Sequence, residues 1–211
     1  MNLPAVHVLV SDEVVRRRDF RSVADDLRRA LGDRLAIHLR CREATGRGLF
    51  DIAAPLVAAA RENGGWCVVN GRSDVALAAG CHAIQLGRGA LPAASVLELV
   101  ADRCAVGVSV HSASEASRAA DDGANFVVAG TVYRSASHPD RPGAGPGLVR
   151  ACAGAGIPVV AIGGITVERA GEVVANGAAA VAVISAVWSA TDPVDAACSL
   201  AEAVTGQVGG S

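Results

Sequence analysis

Two short segments near the end of the chain, Ala161-Ile-Gly-Gly-Ile-Thr166 and Ala182-Val-Ile-Ser-Ala186, each close an apolar run and open a helical one. Glycine lacks a Cβ and accepts positive φ, so Gly163 and Gly164 allow backbone N–H groups to approach an anion. With Ile184 and Ser185 they form a candidate phosphate grip; a glycine-rich strand end needed for packing is the alternative. His111 follows Ser109 by two residues at the end of another apolar run. Imidazole exchanges protons near neutrality, which makes His111 the candidate acid–base residue, unless it merely flanks a helix cap at Ser112 or Ser114. Arg40 and Arg42 are two apart in extended sequence and share a side. Their forks suit a carboxylate or phosphate, unless Glu43 or Asp51 neutralises them. Asn70, Gln85 and Ser109 can hydrogen-bond a heterocycle without adding charge.

The elements that must position these residues alternate from end to end. Strands are expected at residues 5–10, 35–39, 66–70, 83–86, 105–109, 126–129, 158–162 and 180–184. Helices are expected over 21–31, 48–62, 74–79, 94–101, 114–122, 147–155, 167–176 and 193–204. Eight strand–helix units in 211 residues imply a single (β/α)8 barrel spanning residues 1–211 as one domain. Catalytic groups of such barrels sit at the C-terminal strand ends, where Arg40, Arg42, Asn70, Arg72, Gln85, Arg88, Ser109 and His111 all fall. The longest irregular connection follows the sixth strand and carries Ser135, Ser137 and His138. Its two serines are candidate substrate ligands or simple loop caps. His38 can equally be a core histidine inside the barrel.

Composition removes several classes of function. All 19 basic residues are arginine, so Schiff-base chemistry on lysine is impossible. Aromatic residues make up only 3% and, apart from Arg16-Arg17-Arg18, the arginines are scattered, so no nucleic-acid partner is expected. The arginine run itself is expected on a solvated helix face. The six cysteines include no Cys-x-x-Cys, which argues against zinc and against a disulfide framework. Apolar runs are too short to span a membrane and the first residues lack a secretory pattern, so a cytoplasmic protein is expected. A homo-oligomer is expected from the few charges on its outer helices.

Nearly the whole chain resembles the thiamine-phosphate synthase/TenI superfamily. The resemblance is carried by His38-Leu-Arg-Cys-Arg42, Val69-Asn-Gly-Arg-Ser-Asp74, Ile84-Gln-Leu-Gly87, Gly107-Val-Ser-Val-His-Ser112, Gly130-Thr-Val-Tyr-Arg-Ser-Ala-Ser-His-Pro139 and Ile157-Pro-Val-Val-Ala-Ile-Gly-Gly-Ile-Thr166. It implies a barrel that binds a small thiazole phosphate. The synthase branch joins a pyrimidine diphosphate to that phosphate with magnesium held by motifs resembling Asn-Asp-Arg and His-Leu-Gly-Gln-Glu-Asp. Here the corresponding stretches read Asn70-Gly71-Arg72 and Gln85-Leu-Gly-Arg-Gly-Ala90, so both metal carboxylates are missing. Arg42 and His138 stand where that branch resembles lysine.

Those departures, with Gln85 and Ser109-Val-His-Ser112, lead to the expectation of the other branch, a thiazole tautomerase. That isomerase would aromatise a dihydrothiazole carboxylate phosphate by proton transfer through His111, with no metal and no other cofactor. A synthase with an eroded metal site and a non-catalytic thiazole-phosphate binder remain the alternatives.

Overall fold

The computed structural model describes residues 2–135 and 142–206. Eight strands, β1 (Val6–Ser11), β2 (Leu35–Arg40), β3 (Trp66–Asn70), β4 (Ala83–Leu86), β5 (Ala105–Val110), β6 (Phe126–Gly130), β7 (Val159–Ile162) and β8 (Ala180–Val183), are all parallel to their neighbours. They close into a barrel when β8 pairs with β1, Val181 opposite Val6. The expected (β/α)8 architecture is therefore present, and the expected strand limits fall within one residue of the observed ones.

Period-2 alternation sorts the strand residues into two layers. Outward-facing Val6, Val8, Ile37, Leu39, Val69, Ile84, Val127 and Val181 pack under the helices in the larger apolar cluster. Inward-facing Leu9, Ala36, Val68, Ala83, Phe126, Val128, Val160, Ala180 and Ala182 fill the barrel interior. Most of these are small, so one large ring, Phe126, serves as the filler. Gly107 makes room for it, since a Cβ there would lie 2.3 Å from the Phe126 ring.

The main helices lie outside the barrel between successive strands. They include α2 (Phe20–Leu31), α3 (Gly46–Asn63), α4 (Ser73–Ala79), α5 (Ala93–Val100), α6 (Ala113–Asp121), α7 (Gly147–Ala153), α8 (Val167–Ala175) and α10 (Pro193–Thr205). Two one-turn helices, α1 (Asp12–Val15) and α9 (Ser185–Trp188), were beyond sequence reading because four residues carry no measurable period. The α9 turn buries Trp188, whose indole N–H donates to the Leu9 carbonyl at 2.8 Å. Arg16, Arg17 and Arg18 lie in the turn between α1 and α2, which corrects the expected helix face. Arg17 chelates Asp19 and donates to the Trp188 carbonyl at 2.7 Å, while Arg16 pairs with Glu43. All six cysteines are free thiols.

Two interior histidines are the unusual polar component of this core. His7 and His38 are buried with ring centroids 5.8 Å apart, and none of their ring nitrogens meets a partner within hydrogen-bond range among the described residues. Burial lowers His7 to about 3, helped by His38. It lowers His38 to about 4 against the opposing effect of the nearby Asn70 amide. Both rings are therefore neutral in the fold, whereas in the unfolded chain they protonate below about 6.5. Between those limits the unfolded state binds the extra protons, so stability rises with pH and is lost on acidification. Each histidine should remove about 2 kcal/mol at about pH 5 relative to pH 7. Urea midpoints measured across that interval should fall, and His7→Leu should flatten the slope; an unchanged slope in the variant would contradict this assignment.

Candidate active site at the barrel mouth

One pleat beyond the interior layer, the same strand faces present Arg40 after His38, Asn70 after Val68, Ser109 after Gly107, Gly130 after Val128, Ile162 after Val160 and Ile184 after Ala182. All of these line a cavity of about 860 Å³ at the C-terminal mouth. The candidate residues named from sequence are gathered there: Arg40, Arg42, Asn70, Gln85, Ser109, His111, Ser135, Gly163, Gly164, Ile184 and Ser185 all reach its wall. Ser137 and His138 lie outside the described residues.

The β7 and β8 ends form one side of the mouth. Gly163 and Gly164 take φ of +105° and +63°, and neither N–H has an acceptor among the described residues. Ser185 and Ala186 open the α9 turn, whose first N–H groups are left unpaired by any helix. Four donors of this kind suit the oxygens of a phosphate. The glycines also serve packing, the plainer alternative raised from sequence. A Cβ on Gly164 would stand 2.5 Å from the Arg134 carbonyl oxygen and 2.8 Å from the Tyr133 Cβ. Tyr133 in turn stacks under Arg169, at 4.7 Å, and hydrogen-bonds Glu172. Tyr133 and Arg134 are thus clamped against the glycine pair, and Arg169 closes the clamp by donating to the Gly164 carbonyl at 2.8 Å.

The opposite side is basic. Arg40, Arg42, Arg72 and Arg88 all line it, and no Asp or Glu among the described residues does. The acids that threatened to neutralise the first two are engaged elsewhere, Glu43 with Arg16 at 2.8 Å and Asp51 with Arg47 at 2.9 Å. Asp12 is likewise turned to backbone, accepting from the Arg42 and Glu43 N–H groups. Arg72 alone of the four is chelated, by Asp74 at 2.9 and 2.6 Å. That partner holds the Asp74 carboxyl at about 2. Burial, and then Arg42, depress the Arg40 guanidinium below the usual arginine range, so both act against the charge that this residue carries. Cys41 beside them is pushed up to about 11, mainly by burial, which keeps its thiol protonated and unreactive.

Between the two sides lies a neutral strip. Gln85 donates its amide N–H to Ser109 Oγ at 3.0 Å, while Gln85 Oε1 and Asn70 Oδ1 are buried and lack partners among the described residues. His38 flanks them with both ring nitrogens free of such partners. His111 Nδ1 meets the Gly130 carbonyl, which fixes the neutral ring as the Nδ1–H tautomer and leaves Nε2 an acceptor. The helix cap belongs to Ser112, which accepts from Glu115 N–H, and the His111 backbone N–H donates to Glu115. His111 is thus positioned by a cap that it does not itself make.

A magnesium ion needs hard oxygen ligands, usually one or two carboxylates. Gly71, Gly89 and Ala90 occupy the wall where the resemblance implies them, and among the described residues no cluster of acids, histidines or cysteines could hold a metal. The residues present do not fit that ion. Arg88, at the tip of the β4 connection, and Thr131, after β6, also line the cavity. The sequence puts Arg88 at a strand end without a role and gives no sign of Thr131. Arg88 was legible as a charge at a strand end, whereas Thr131 joins the wall through the path of the loop after β6.

With this geometry established, comparison with known proteins places the chain. The family described as thiamine monophosphate synthase matches residues 8–187, and the chain belongs to that family. Among individual relatives, the thiamine-phosphate synthase of Chlorobium luteolum is 37% identical over 182 residues, covering 85% of this chain and 86% of its own length. That of Methanoregula boonei is 41% identical over 172 residues, covering 81% and 80%. The solved thiamine phosphate pyrophosphorylase of Pyrococcus furiosus superposes with a TM-score of 0.85 at 32% identity, covering 98% of each chain. A 3-hexulose-6-phosphate synthase, at 20% identity and a TM-score of 0.69, shares the fold.

These relatives overturn the expectation of an isomerase, because the proteins that match over most of the chain bear the name of the synthase. The expectation rested on the two missing carboxylates and assigned Arg40 and Arg42 to a substrate carboxylate rather than to a diphosphate. No helix among the described residues is long and apolar enough to cross a membrane.

Replacing Gly164 tests the dual use of the glycine pair. Gly164→Val must adopt a left-handed φ and displace the Tyr133–Arg134 backbone, at a cost of about 2 kcal/mol or more. A thermal or urea midpoint equal to the parent's would contradict the clamp.

Proposed function

We propose that this chain is a transferase of the thiamine-phosphate synthase kind, joining a pyrimidine diphosphate to a thiazole phosphate. The observation that carries this reading is the division of one cavity into a corner of free backbone N–H groups and an arginine wall that no carboxylate of the described residues lines. Two anionic substrates held together need two such places, and the relatives that match over most of the chain bear the name of the synthase.

The thiazole component enters with its phosphate on the N–H groups of Gly163, Gly164, Ser185 and Ala186, assisted by Ser135 and Thr131. The pyrimidine component lies across the neutral strip, where Asn70 Oδ1, Gln85 Oε1 and His111 Nε2 accept hydrogen bonds from an amino-bearing ring. Its diphosphate faces Arg40, Arg42 and Arg88. In the transfer, a C–N bond forms between the thiazole nitrogen and the pyrimidine component's reacting carbon. The C–O bond to diphosphate breaks, and the leaving diphosphate takes the electron pair. Negative charge builds on that leaving oxygen, and the guanidinium groups of Arg40, Arg42 and Arg88 stabilise such charge through charge-assisted hydrogen bonds. No step is routed through a divalent ion.

Incubation with the pyrimidine diphosphate and the thiazole phosphate should yield thiamine phosphate and diphosphate, followed by chromatography. Arg40→Ala should lower kcat/KM for the diphosphate substrate between about tenfold and a hundredfold while leaving KM for the thiazole phosphate near the parent value. Binding of both substrates without product would overturn the proposal.

A further inference from the structure

Taking diphosphate as the ligand from the transferase proposed above, we propose that Arg40, Arg42 and Arg88 replace the divalent cation of this site, so that the chain binds metal-free diphosphate. The three guanidinium groups line one side of the cavity, and no acid among the described residues forms an ion pair with any of them. A divalent ion would sit in this wall among positive charges with no carboxylate of the described residues to hold it, which opposes binding by Coulomb repulsion. A diphosphate reverses the sign of that interaction. Each guanidinium can engage two phosphate oxygens through parallel N–H donors, the same oxygens that a cation would bridge. Burial and Arg42 both work against the charge on Arg40, and an anion seated between the two arginines relieves both effects.

The backbone around the missing carboxylates is consistent with a site that has changed its charge rather than its shape. Gly71 has φ +68° and nothing within 4 Å of a Cβ built on it, and its N–H still donates to the Gln85 carbonyl at 2.9 Å. Gly89 likewise has φ +80° and open space around its Cβ direction. The room for a carboxylate remains at position 71, and aspartate is one of the few side chains that tolerates a left-handed φ. The metal-binding arrangement is therefore recoverable by substitution, which makes the exchange of cation for guanidinium directly testable.

The probe is inorganic pyrophosphate, titrated calorimetrically into the parent chain in EDTA and then in excess magnesium. Binding in EDTA at least as tight as in magnesium is expected, with Arg88→Ala weakening it about tenfold. The double variant Gly71→Asp, Ala90→Asp should bind worse than the parent in EDTA and regain affinity when magnesium is added. Its circular dichroism and melting midpoint separate this result from misfolding, and the parent and Arg88→Ala titrations stand without it. Pyrophosphate binding by the parent only in magnesium, or no binding in either condition, would overturn the inference. Magnesium-dependent formation of thiamine phosphate would do so while leaving the transferase standing, whereas metal-free pyrophosphate binding without product would remove the transferase and leave the inference.

Discussion

Charge balance at the barrel mouth is the constraint on which the rest of this structure depends. Four arginines line the cavity wall, one of them chelated by Asp74, and no carboxylate among the described residues lines it with them. A partly buried guanidinium is costly without an anion, and the desolvation acting on Arg40 expresses that cost. The cavity is thus built for ligands that bring negative charge. Its other side presents backbone N–H groups at β7 and α9 in place of side-chain cations, and the proposed function seats the second anion there.

The barrel makes this division possible by keeping its strand faces in step. Each strand delivers alternate residues inward, so the layer that follows the Phe126 plug becomes the floor of the site. That floor is polar and neutral around Asn70, Gln85 and His38, which separates the two charged ends of the cavity. The same economy appears at Gly163 and Gly164. Their N–H groups have no acceptor among the described residues, and they also leave the space into which Tyr133 and Arg134 pack, so the proposed anion corner and the packing of residues 133 and 134 share one pair of residues.

Much of the fold was legible in the chain because its strands are short apolar runs bounded by glycine and polar residues, and its longer helices carry a clear apolar face. Strands at Trp66–Asn70 and Ala83–Leu86 fall where the sequence puts them. The one-turn helices at Asp12–Val15 and Ser185–Trp188 do not show, since their formation depends on the Ser11 cap and on burial of Trp188. The site was legible in its parts, because strand ends in a parallel barrel converge by topology. Its electrostatic sense was not. Whether Arg40 and Arg42 are spent on Glu43 and Asp51 is a matter of three-dimensional pairing, and the structure gives those acids to Arg16 and Arg47 instead. The branch of the family was misjudged for a related reason: the lost carboxylates and the arginines are both visible in the sequence, but which of those arginines stay unpaired is visible only in space.

The central claim is that one cavity seats two anions at once, at opposite sides. Calorimetric titration of inorganic pyrophosphate into the protein already saturated with thiazole phosphate tests it most directly. A one-to-one ternary complex, with pyrophosphate affinity similar to that of the unsaturated protein, is the predicted result. Mutual displacement of the two ligands would contradict it.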